Sequence, residues 1–394
     1  MRVLLALALM PALVDAAAAD FSWHAAANLA TARSQATATV LPGGREILVA
    51  GGRGPERRPL ATTEIFDSLK GTWRAAQTML HPRAGHSAVR LADGRILVVG
   101  GGVAEAEVYS PPAGWQDAGR LPIALSGQVA AELIDGEVLV TGGSGFAGRT
   151  PALNRRTFLY DPRTNSWREA GPTNTPHVNG AAVLLRDGQL LLAGGAPPGG
   201  PSAELFALGG NDRWTQTGDM VLDRTAFALA RLPNGDVLAA GGLEATSHAP
   251  LAVRSAEIYE FRKRAWRSAA SLRVDRLNPA YTTLSDGSVL VVSERTGEAY
   301  DPAGGTWRWL PGLASNHSGG TAVAMSGDRA LVIGGQGGAA VDLLAPGAPT
   351  VSLRALGQIS YVTLSLAALA ALLLAAVAVQ AAWRRRSPYA GNPT

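Results

Sequence analysis

Short apolar runs that end in a pair of small residues recur along most of the chain. Each run has four mostly apolar residues followed by two glycines, or by Ser293 and Glu294 in one copy. Short apolar segments bounded by glycine are typical of buried β-strands, and regular recurrence indicates a repeat architecture. The runs are Ile47–Gly52, Ile96–Gly101, Val138–Gly143, Leu190–Gly195, Val237–Gly242, Val289–Glu294 and Ala330–Gly335.

Tryptophan marks a second position of the repeat. From each of these tryptophans to the next first-glycine position the spacing is 28 residues once and 27 residues six times. In the other direction the spacing varies between 14 and 25 residues. One half of the repeat therefore has a fixed length, and the other half carries every insertion. The tryptophans are Trp23, Trp73, Trp115, Trp167, Trp214, Trp266 and Trp307.

The fixed half contains signals for β-hairpins. In five copies the apolar run follows an Asp-Gly or Asn-Gly dipeptide, such as Asp93-Gly94, which supplies the positive φ angles of a two-residue hairpin turn. After the variable half, a short strand ends in an aromatic residue, often followed by an acid, as in Tyr160-Asp161. A polar turn then leads to the tryptophan. The pattern predicts four antiparallel strands per repeat, the composition of one propeller blade.

The glycine pair, the aromatic–acid dipeptide and the downstream tryptophan resemble the kelch-repeat family over roughly Phe21 to Leu344. The resemblance implies an all-β fold, and we predict a seven-bladed kelch-type β-propeller over residues 20–345. Within the repeat region no tryptophan follows the last glycine pair, and Trp23 has no glycine pair before it. We therefore expect the N-terminal strand to close the ring. A six-bladed ring with loose ends is the alternative.

Both ends of the chain carry segments directed to a membrane. Residues 1–19 have the apolar run and the small residues of a signal peptide. Residues 346–358 form a linker, and residues 359–383 are uncharged and long enough for one C-terminal transmembrane helix. Residues 384–394 begin with three arginines and form a predicted cytoplasmic tail. These features predict a single-pass cell-membrane protein with its propeller outside the cytoplasm, in the periplasm if the cell is Gram-negative. Alternatively, the C-terminal segment is a sorting tail that is removed by processing.

Composition removes several classes of function. The 394 residues include no cysteine, which excludes disulfides and thiolate metal sites. The net charge of +4 falls to +1 once Arg2 and Asp15 and the three arginines at 384–386 are removed, leaving 31 basic and 30 acidic residues. That balance does not suit a nucleic-acid partner. The six histidines lack zinc-ligand spacing, so we predict no metal and no other cofactor.

A cationic side chain recurs about 17 residues before the first glycine position, where the innermost strand of each blade begins. Ring symmetry would gather these residues at the mouth of a central channel, where they could bind a carboxylate or phosphate. The resemblance implies the same, because kelch-family arginines at this place bind acidic segments of partner proteins. Alternatively, each side chain bonds to the backbone or an acid of a neighbouring blade. The predicted ligand-binding residues are Arg33, Arg83, His177, Arg224, Arg276 and His317, with Leu125 at the seventh position.

The sequence thus predicts a membrane-anchored binding or interaction module with a basic channel mouth for an acidic protein segment or an anionic carbohydrate. The alternative is a periplasmic sugar-modifying enzyme of the kelch type, an acidic-sugar epimerase or mutarotase. Such an enzyme needs a carboxylate beside an arginine at the mouth, and Glu132 is expected at the opposite face. Copper-radical oxidases of this fold need a cysteine that the chain lacks. No catalytic residue is predicted.

Overall fold

The structure is a computed structural model that describes residues 21–147, 150–195, 202–209, 212–244, 251–310, 312–336 and 338–347. These residues form β-strands joined by turns and loops, with no α-helix among them. None of the segments described is a helix long and apolar enough to span a bilayer. The predicted signal peptide (1–19), transmembrane helix (359–383) and cytoplasmic tail (384–394) lie outside the described residues.

The compact unit of the described chain is Phe21–Pro346. The strands of its first half are β1 (Phe21–Ala25), β2 (Thr37–Val40), β3 (Glu46–Ala50), β4 (Thr63–Asp67), β5 (Thr72–Ala75), β6 (His86–Arg90), β7 (Ile96–Gly100), β8 (Val103–Ser110), β9 (Gly114–Glu132), β10 (Val138–Ala147), β11 (Thr150–Leu153), β12 (Thr157–Asp161), β13 (Ser166–Ala170), β14 (Ala181–Leu184), β15 (Leu190–Ala193) and β16 (Ala203–Ala207). The strands of its second half are β17 (Arg213–Gln216), β18 (Arg224–Thr225), β19 (Ala228–Arg231), β20 (Val237–Ala240), β21 (Leu243–Glu244), β22 (Leu251–Ala252), β23 (Ala256–Glu260), β24 (Ala265–Ala269), β25 (Ala280–Thr283), β26 (Val289–Ser293), β27 (Thr296–Asp301), β28 (Thr306–Leu310), β29 (Thr321–Met325), β30 (Arg329–Ile333) and β31 (Val341–Pro346).

The strands pair into antiparallel four-stranded units, which we call blades. The blades β2–β5, β14–β17 and β25–β28 each use consecutive strands, and β19, β20, β23 and β24 form another. The strands β6, β7, β8 and β9 form a blade that continues into the blade β9, β10, β12 and β13, because β9 belongs to both. The short strands β18, β21 and β22 form a separate small sheet.

The N-terminal strand completes the blade formed by the last strands of the unit. Strand β1 pairs with β31, so that Trp23 lies opposite Leu344, and the sheet order is β1, β31, β30, β29. This is the pairing that the position of Trp23 predicts. The outer edge of the last blade is therefore covered by a strand from the other end of the unit.

The innermost strands lie side by side around an axis. In order they are β2, β6, the second half of β9, β14, β19, β25 and β29, and β29 in turn contacts β2. The all-β unit is thus β-propeller-like. We call the end of the axis where these strands begin the loop face, and the opposite end, which carries the hairpin turns, the turn face.

The apolar runs of the sequence are the second strands of the blades and form the core. Leu97, Val98 and Val99 of β7, for example, are fully buried. Successive side chains of a strand point to opposite sides, so each blade packs against both neighbours. Val98 joins the cluster with β2–β5, whereas Leu97 and Val99 join the cluster with β10 and β12.

The tryptophans pack inside the blades. Each tryptophan ring from Trp73 to Trp307 lies on an outer strand against the aromatic residue paired with it on the third strand. The ring centroids of Phe66 and Trp73 are 4.9 Å apart, and those of Tyr259 and Trp266 are 5.3 Å apart. Tilted aromatic pairs at this distance stabilise a fold beyond the area they bury.

The glycine pairs link adjacent blades at the loop face. The N–H of Gly195 donates to the carbonyl of Arg224 in the next blade at 3.0 Å. Gly194 has a φ of 63°, and a Cβ there would lie 2.5 Å from that same carbonyl oxygen. Both restrictions require glycine. Where Ser293 and Glu294 replace the pair, strand β26 turns directly into β27, and Glu294 adopts the left-handed conformation with a φ of 52°.

Candidate binding face around the channel mouth

The six cationic residues predicted to bind a ligand are buried within their own blades. Arg83, for example, is 0% exposed, and its Nη1 donates to the carbonyl of Gly100 at 3.1 Å. Its Nη2 donates to Oε1 of Glu107 on β8 at 2.6 Å. The side chain thus connects the first, second and third strands of one blade. We call this arrangement of cation, backbone carbonyl and acid the buried joint.

The same buried joint recurs around the unit. Each arginine donates to the backbone carbonyl at the first glycine position of its blade, or to that of Ser293, and to a buried carboxylate on the third strand. His177 and His317 contact the equivalent carbonyl through Nδ1 and the equivalent carboxylate through Nε2. The pairs are Arg33–Glu64, Arg83–Glu107, His177–Glu204, Arg224–Glu257, Arg276–Glu298 and His317–Asp342.

One blade has an apolar version of the joint. Leu125 stands at the position of the cation and Phe158 at the position of the acid. Both side chains are at most 2% exposed and belong to the same core cluster. The cation and the acid are therefore replaced together, which is expected because either charge alone would be buried without a partner.

The acids of the joints also fix the connections between blades. Glu257 accepts the backbone N–H of Val221 and of Leu222, which lie in the segment leading into the blade. Glu64, Glu107, Glu204 and Glu298 accept backbone N–H groups in the equivalent segments. Burial lowers the pKa of Arg83 and Arg224, and their carboxylate partners raise it by less. The charges of these two arginines are thus paired with carboxylates inside the protein.

This placement departs from the predicted anion site at Arg33, Arg83, His177, Arg224, Arg276 and His317. Side chains that are 0 or 1% exposed and already bonded to a carboxylate or carbonyl present no surface to a ligand. They act as structural links, as the alternative interpretation held, but their partners lie in the same blade and not in a neighbouring one. The sequence contains a signal for this pairing, since the acid stands two residues before the third-strand aromatic in five blades.

The axial mouth is lined by residues two positions further along the chain. These seven residues all adopt left-handed φ angles, between 43° and 68°. Their backbones link neighbouring blades: the N–H of Gly85 donates to the carbonyl of Gln35 at 2.9 Å, and that of Ala226 donates to Asn179 at 2.8 Å. They are Gln35, Gly85, Gly127, Asn179, Ala226, Asn278 and Gly319.

The cavity inside this mouth is polar and uncharged. Its volume is about 390 Å³, and its lining adds Ser87, Gln128 and Tyr281 to the amides of the mouth. His86 also lines it, and burial, followed by the nearby charge of Arg83, lowers the pKa of His86 to about 3. His86 is therefore neutral at physiological pH. The mouth offers amide and hydroxyl groups for hydrogen bonding.

Exposed arginines lie in a second cavity beside the first. This cavity, about 480 Å³, is lined among the described residues by Ser34, Arg53, Gly54, Pro55, Arg57 and Gln336. The Nε of Arg53 donates to Oε1 of Gln35 at 3.3 Å, so a side chain of this cavity contacts the lining of the first. In the loop between β10 and β12, by contrast, Arg156 pairs with Glu169, and Arg149 lies outside the described residues.

Exposed apolar side chains are concentrated on the loop face. Of the eight large apolar residues exposed in the described chain, Leu69 and Ile134 lie on the turn face. The other six lie on the loop face, in connections between blades or in loops between second and third strands. They are Leu80, Leu153, Val221, Leu251, Val274 and Leu277.

Four of these side chains lie on neighbouring segments of the loop face, and we call this set the apolar patch: Val221, Leu251, Val274 and Leu277, between 38 and 63% exposed. Backbone hydrogen bonds join their segments. Strand β22, which contains Leu251, pairs with β21. Strand β21 pairs with β18, which begins three residues after Val221. The N–H of Arg276, next to Leu277, donates to the carbonyl of Val253 at 3.1 Å.

Comparison with known proteins supports the fold. The model of the kelch motif matches residues 32–80, so the chain carries a kelch repeat and the resemblance seen in the sequence is confirmed. Among curated proteins, none matches the chain. A solved structure described as a novel fungal alcohol oxidase of the AA5 family, in complex with copper, is similar with a TM-score of 0.70 and 18% identity. The similarity covers 82% of this chain and 76% of the oxidase and shows the fold alone.

The residues at the axial mouth do not fit a copper site. Copper in proteins prefers imidazole and sulfur ligands in a fixed geometry. The mouth presents the amides of Gln35, Asn179 and Asn278, and His86 is the one histidine in the lining of its cavity as described. Within the described residues, no group of three His, Cys, Asp or Glu side chains could hold a metal ion.

Proposed function

We propose that the chain is a seven-bladed kelch-type propeller that acts as a protein-binding module and takes an acidic segment of a partner at its loop face. The observation that carries the proposal is the composition of this face. It combines an uncharged polar cavity on the axis, exposed Arg53 and Arg57 on one side, and the apolar patch on the other. Hydrogen-bonding groups, arginine and exposed apolar side chains together are typical of protein interfaces.

The exposed apolar residues favour a protein partner over a carbohydrate. A glycan would be recognised by polar groups with an aromatic platform, whereas Leu251 and Val221 are aliphatic and are 63 and 59% exposed. Apolar side chains gathered on one face indicate an interaction surface. Arg53 and the apolar patch belong to blades on opposite sides of the ring of inner strands, so a bound segment would cross the mouth between them.

Site-specific photo-crosslinking tests this proposal. A photoreactive amino acid replaces Leu251 on the loop face or, as matched controls, Leu69 or Ile134 on the turn face, which are 74 and 70% exposed. We expect protein adducts of defined mass from position 251 and none from positions 69 and 134. Equal adducts from both faces would contradict the proposal, and protease-resistant saccharide adducts would replace the protein partner by a glycan.

We further propose that the module is anchored in the cell membrane outside the cytoplasm. The uncharged segment 359–383, the arginines that follow it and the signal-like segment 1–19 support this. Replacing Leu373 and Leu374 by lysine would add about 6–8 kcal/mol to the cost of insertion. We expect the wild-type chain to stay with membranes during alkaline extraction and the double variant to be released. Retention of both proteins, or release of both, would exclude this anchor.

A further inference from the structure

We infer that the cavity lined by Arg53 and Arg57 is a carboxylate subsite that binds an Asp or Glu side chain of the partner segment. The inference rests on the proposed function, since it names the chemistry recognised at that face. The subsite, which we call the arginine pocket, consists of Ser34, Arg53, Arg57 and Gln336 with the turn at Gly54-Pro55.

The backbone under Arg53 is held rigidly. Arg53 and Ser34 exchange two backbone hydrogen bonds of 2.7 and 3.0 Å, and Arg53 also forms a bridge with Pro59 on the returning part of its loop. The N–H of Leu60 donates to the carbonyl of Gly52 at 2.8 Å. Arg53 thus lies on a strand-like segment between two other segments of the chain. A side chain on such a support loses little freedom when it binds a ligand.

The guanidinium of Arg53 is oriented and still has donors to offer. Its Nε donates to Gln35 at 3.3 Å and its Nη1 donates to the carbonyl of Arg57 at 2.8 Å. These two bonds fix the plane of the group, and within the described part of the chain the N–H groups of Nη2 are left for a ligand. A planar guanidinium binds a carboxylate with high geometric preference because its parallel N–H groups match the two oxygens.

The turn after Arg53 brings a second arginine to the cavity. Arg57 adopts a left-handed φ of 59°, which is strained for a residue with a side chain. The N–H of Arg57 donates to the carbonyl of Gly54, closing the turn, and the N–H of Gly54 donates to the carbonyl of Arg58. Backbone strain of this kind is found where a fold must present a side chain at a particular place.

The pocket has positive charge without a carboxylate in its described lining. The nearby acid, Glu56, lies 3.6 Å from Arg58, and both side chains are exposed by more than three quarters. The lining supplies two arginines, the hydroxyl of Ser34 and the amide of Gln336. This set of donors has a net charge of +2, which suits an anionic group.

Two blocked dipeptides provide direct probes. Isothermal titration calorimetry of the full chain compares acetyl-Glu-Glu-amide with acetyl-Gln-Gln-amide, which has the same size without charge. We expect the Glu peptide to bind at least ten times more tightly than the Gln peptide. The double variant Arg53→Gln, Arg57→Gln should lose that preference, while Arg58→Gln, the matched control outside the pocket, should keep it.

The possible results separate this inference from the proposed function. Equal binding of the two peptides, no binding of either, or a preference that survives in the double variant would overturn the carboxylate subsite. Inorganic phosphate that displaces the Glu peptide and binds more tightly would assign the pocket to phosphate instead and would also overturn it. Crosslinking at Leu251 tests the proposed function independently, because adducts there do not require the arginine pocket.

Discussion

At the scale of single residues, the buried joint links three strands of a blade through one side chain, as Arg83 does. A buried ion pair is costly to break from one side, because the remaining charge has lost both water and its partner. The chain contains its own comparison, since Leu125 and Phe158 replace the cation and the acid in one blade with an apolar contact. Six joints built from an arginine or histidine and a carboxylate, and one apolar joint, thus serve the same position of the described fold.

A double-mutant cycle at one joint should reveal strong coupling. Arg224→Leu leaves Glu257 buried at 2% exposure without its cation, and we expect a loss of about 3–5 kcal/mol in unfolding free energy. Glu257→Phe should cost a similar amount. The double variant, which copies Leu125 and Phe158, should cost at least about 2 kcal/mol less than the sum of the two.

Urea unfolding of the four proteins measures this coupling. The same exchange at the exposed pair Arg58 and Glu56 is the matched control, and its coupling should lie between about 0 and 1 kcal/mol. Additive effects at Arg224 and Glu257 would contradict the role assigned to the joint.

Acid should weaken one joint in a defined pH range. Burial alone would raise the pKa of Glu204, but hydrogen bonds from His177, Asn174 and Thr175 outweigh it and hold the pKa at about 2, compared with 4.5 ordinarily. A depressed carboxyl pKa stabilises the fold above about pH 4.5, and this contribution disappears as the pH falls towards 2. It amounts to about 3 kcal/mol.

The variant Glu204→Gln isolates this carboxyl. Its unfolding free energy should be lower than that of the wild type at pH 7 and should fall less steeply between pH 4.5 and pH 3. Chemical unfolding at a series of pH values provides the measurement. If the unfolding free energies of the two proteins fell with parallel slopes over that range, the pKa of the Glu204 carboxyl would not be depressed.

Only part of the buried joint was predictable from the sequence. The positions of Arg83 and Arg224 at the start of inner strands were predictable, because the repeat fixes their distance from the glycine pair. The direction of their side chains was not predictable from that spacing. It depends on Glu107 and Glu257, which lie on a different strand and after a loop of variable length. Pairing each cation with an acid across that loop requires comparison of whole repeats.

At the scale of elements, the closing strand β1 was predictable and the long strand β9 was not. Trp23 without a preceding glycine pair indicates an outer strand that must pair with the end of the repeat array. Strand β9 runs for 19 residues from one blade into the next and contains Gly119 and Pro122, which ordinarily interrupt strands. The register of β9 with β8 shifts on both sides of Glu105, and Pro122 lies in the shifted stretch between the paired residues Arg120 and Leu125. A local pattern cannot predict that accommodation.

Proline substitutions test the role of β1. The N–H of Ala26 donates to the carbonyl of Val341 on the adjoining strand. In an antiparallel strand the N–H groups of alternate residues point in the same direction. His24→Pro therefore removes a hydrogen bond to Leu343, whereas Ala25→Pro removes an N–H that points away. Both side chains are exposed. We expect His24→Pro to lower the unfolding free energy by about 1–3 kcal/mol and Ala25→Pro by clearly less. Similar losses in thermal unfolding would contradict the pairing.

At the scale of the whole described unit, the contact between β29 and β2 makes every blade a neighbour of two others. No blade can then lose its packing without exposing the apolar faces of both neighbours. We expect a single calorimetric transition for the wild type, for Arg224→Leu and for His24→Pro, with the two losses adding to within about 0.5 kcal/mol in the combined variant. Two separate transitions in either single variant would show that the blades unfold independently.

The pairing of β1 with β31 also has a consequence during biosynthesis. Strand β1 leaves the ribosome more than 300 residues before its partner, Val341–Pro346. At about 5–20 residues per second, β1 waits for about 15–65 s. Throughout that interval the first strand and the growing edge of the sheet array are open to incorrect partners, so the nascent chain is a natural client for a chaperone until its last strand has been made.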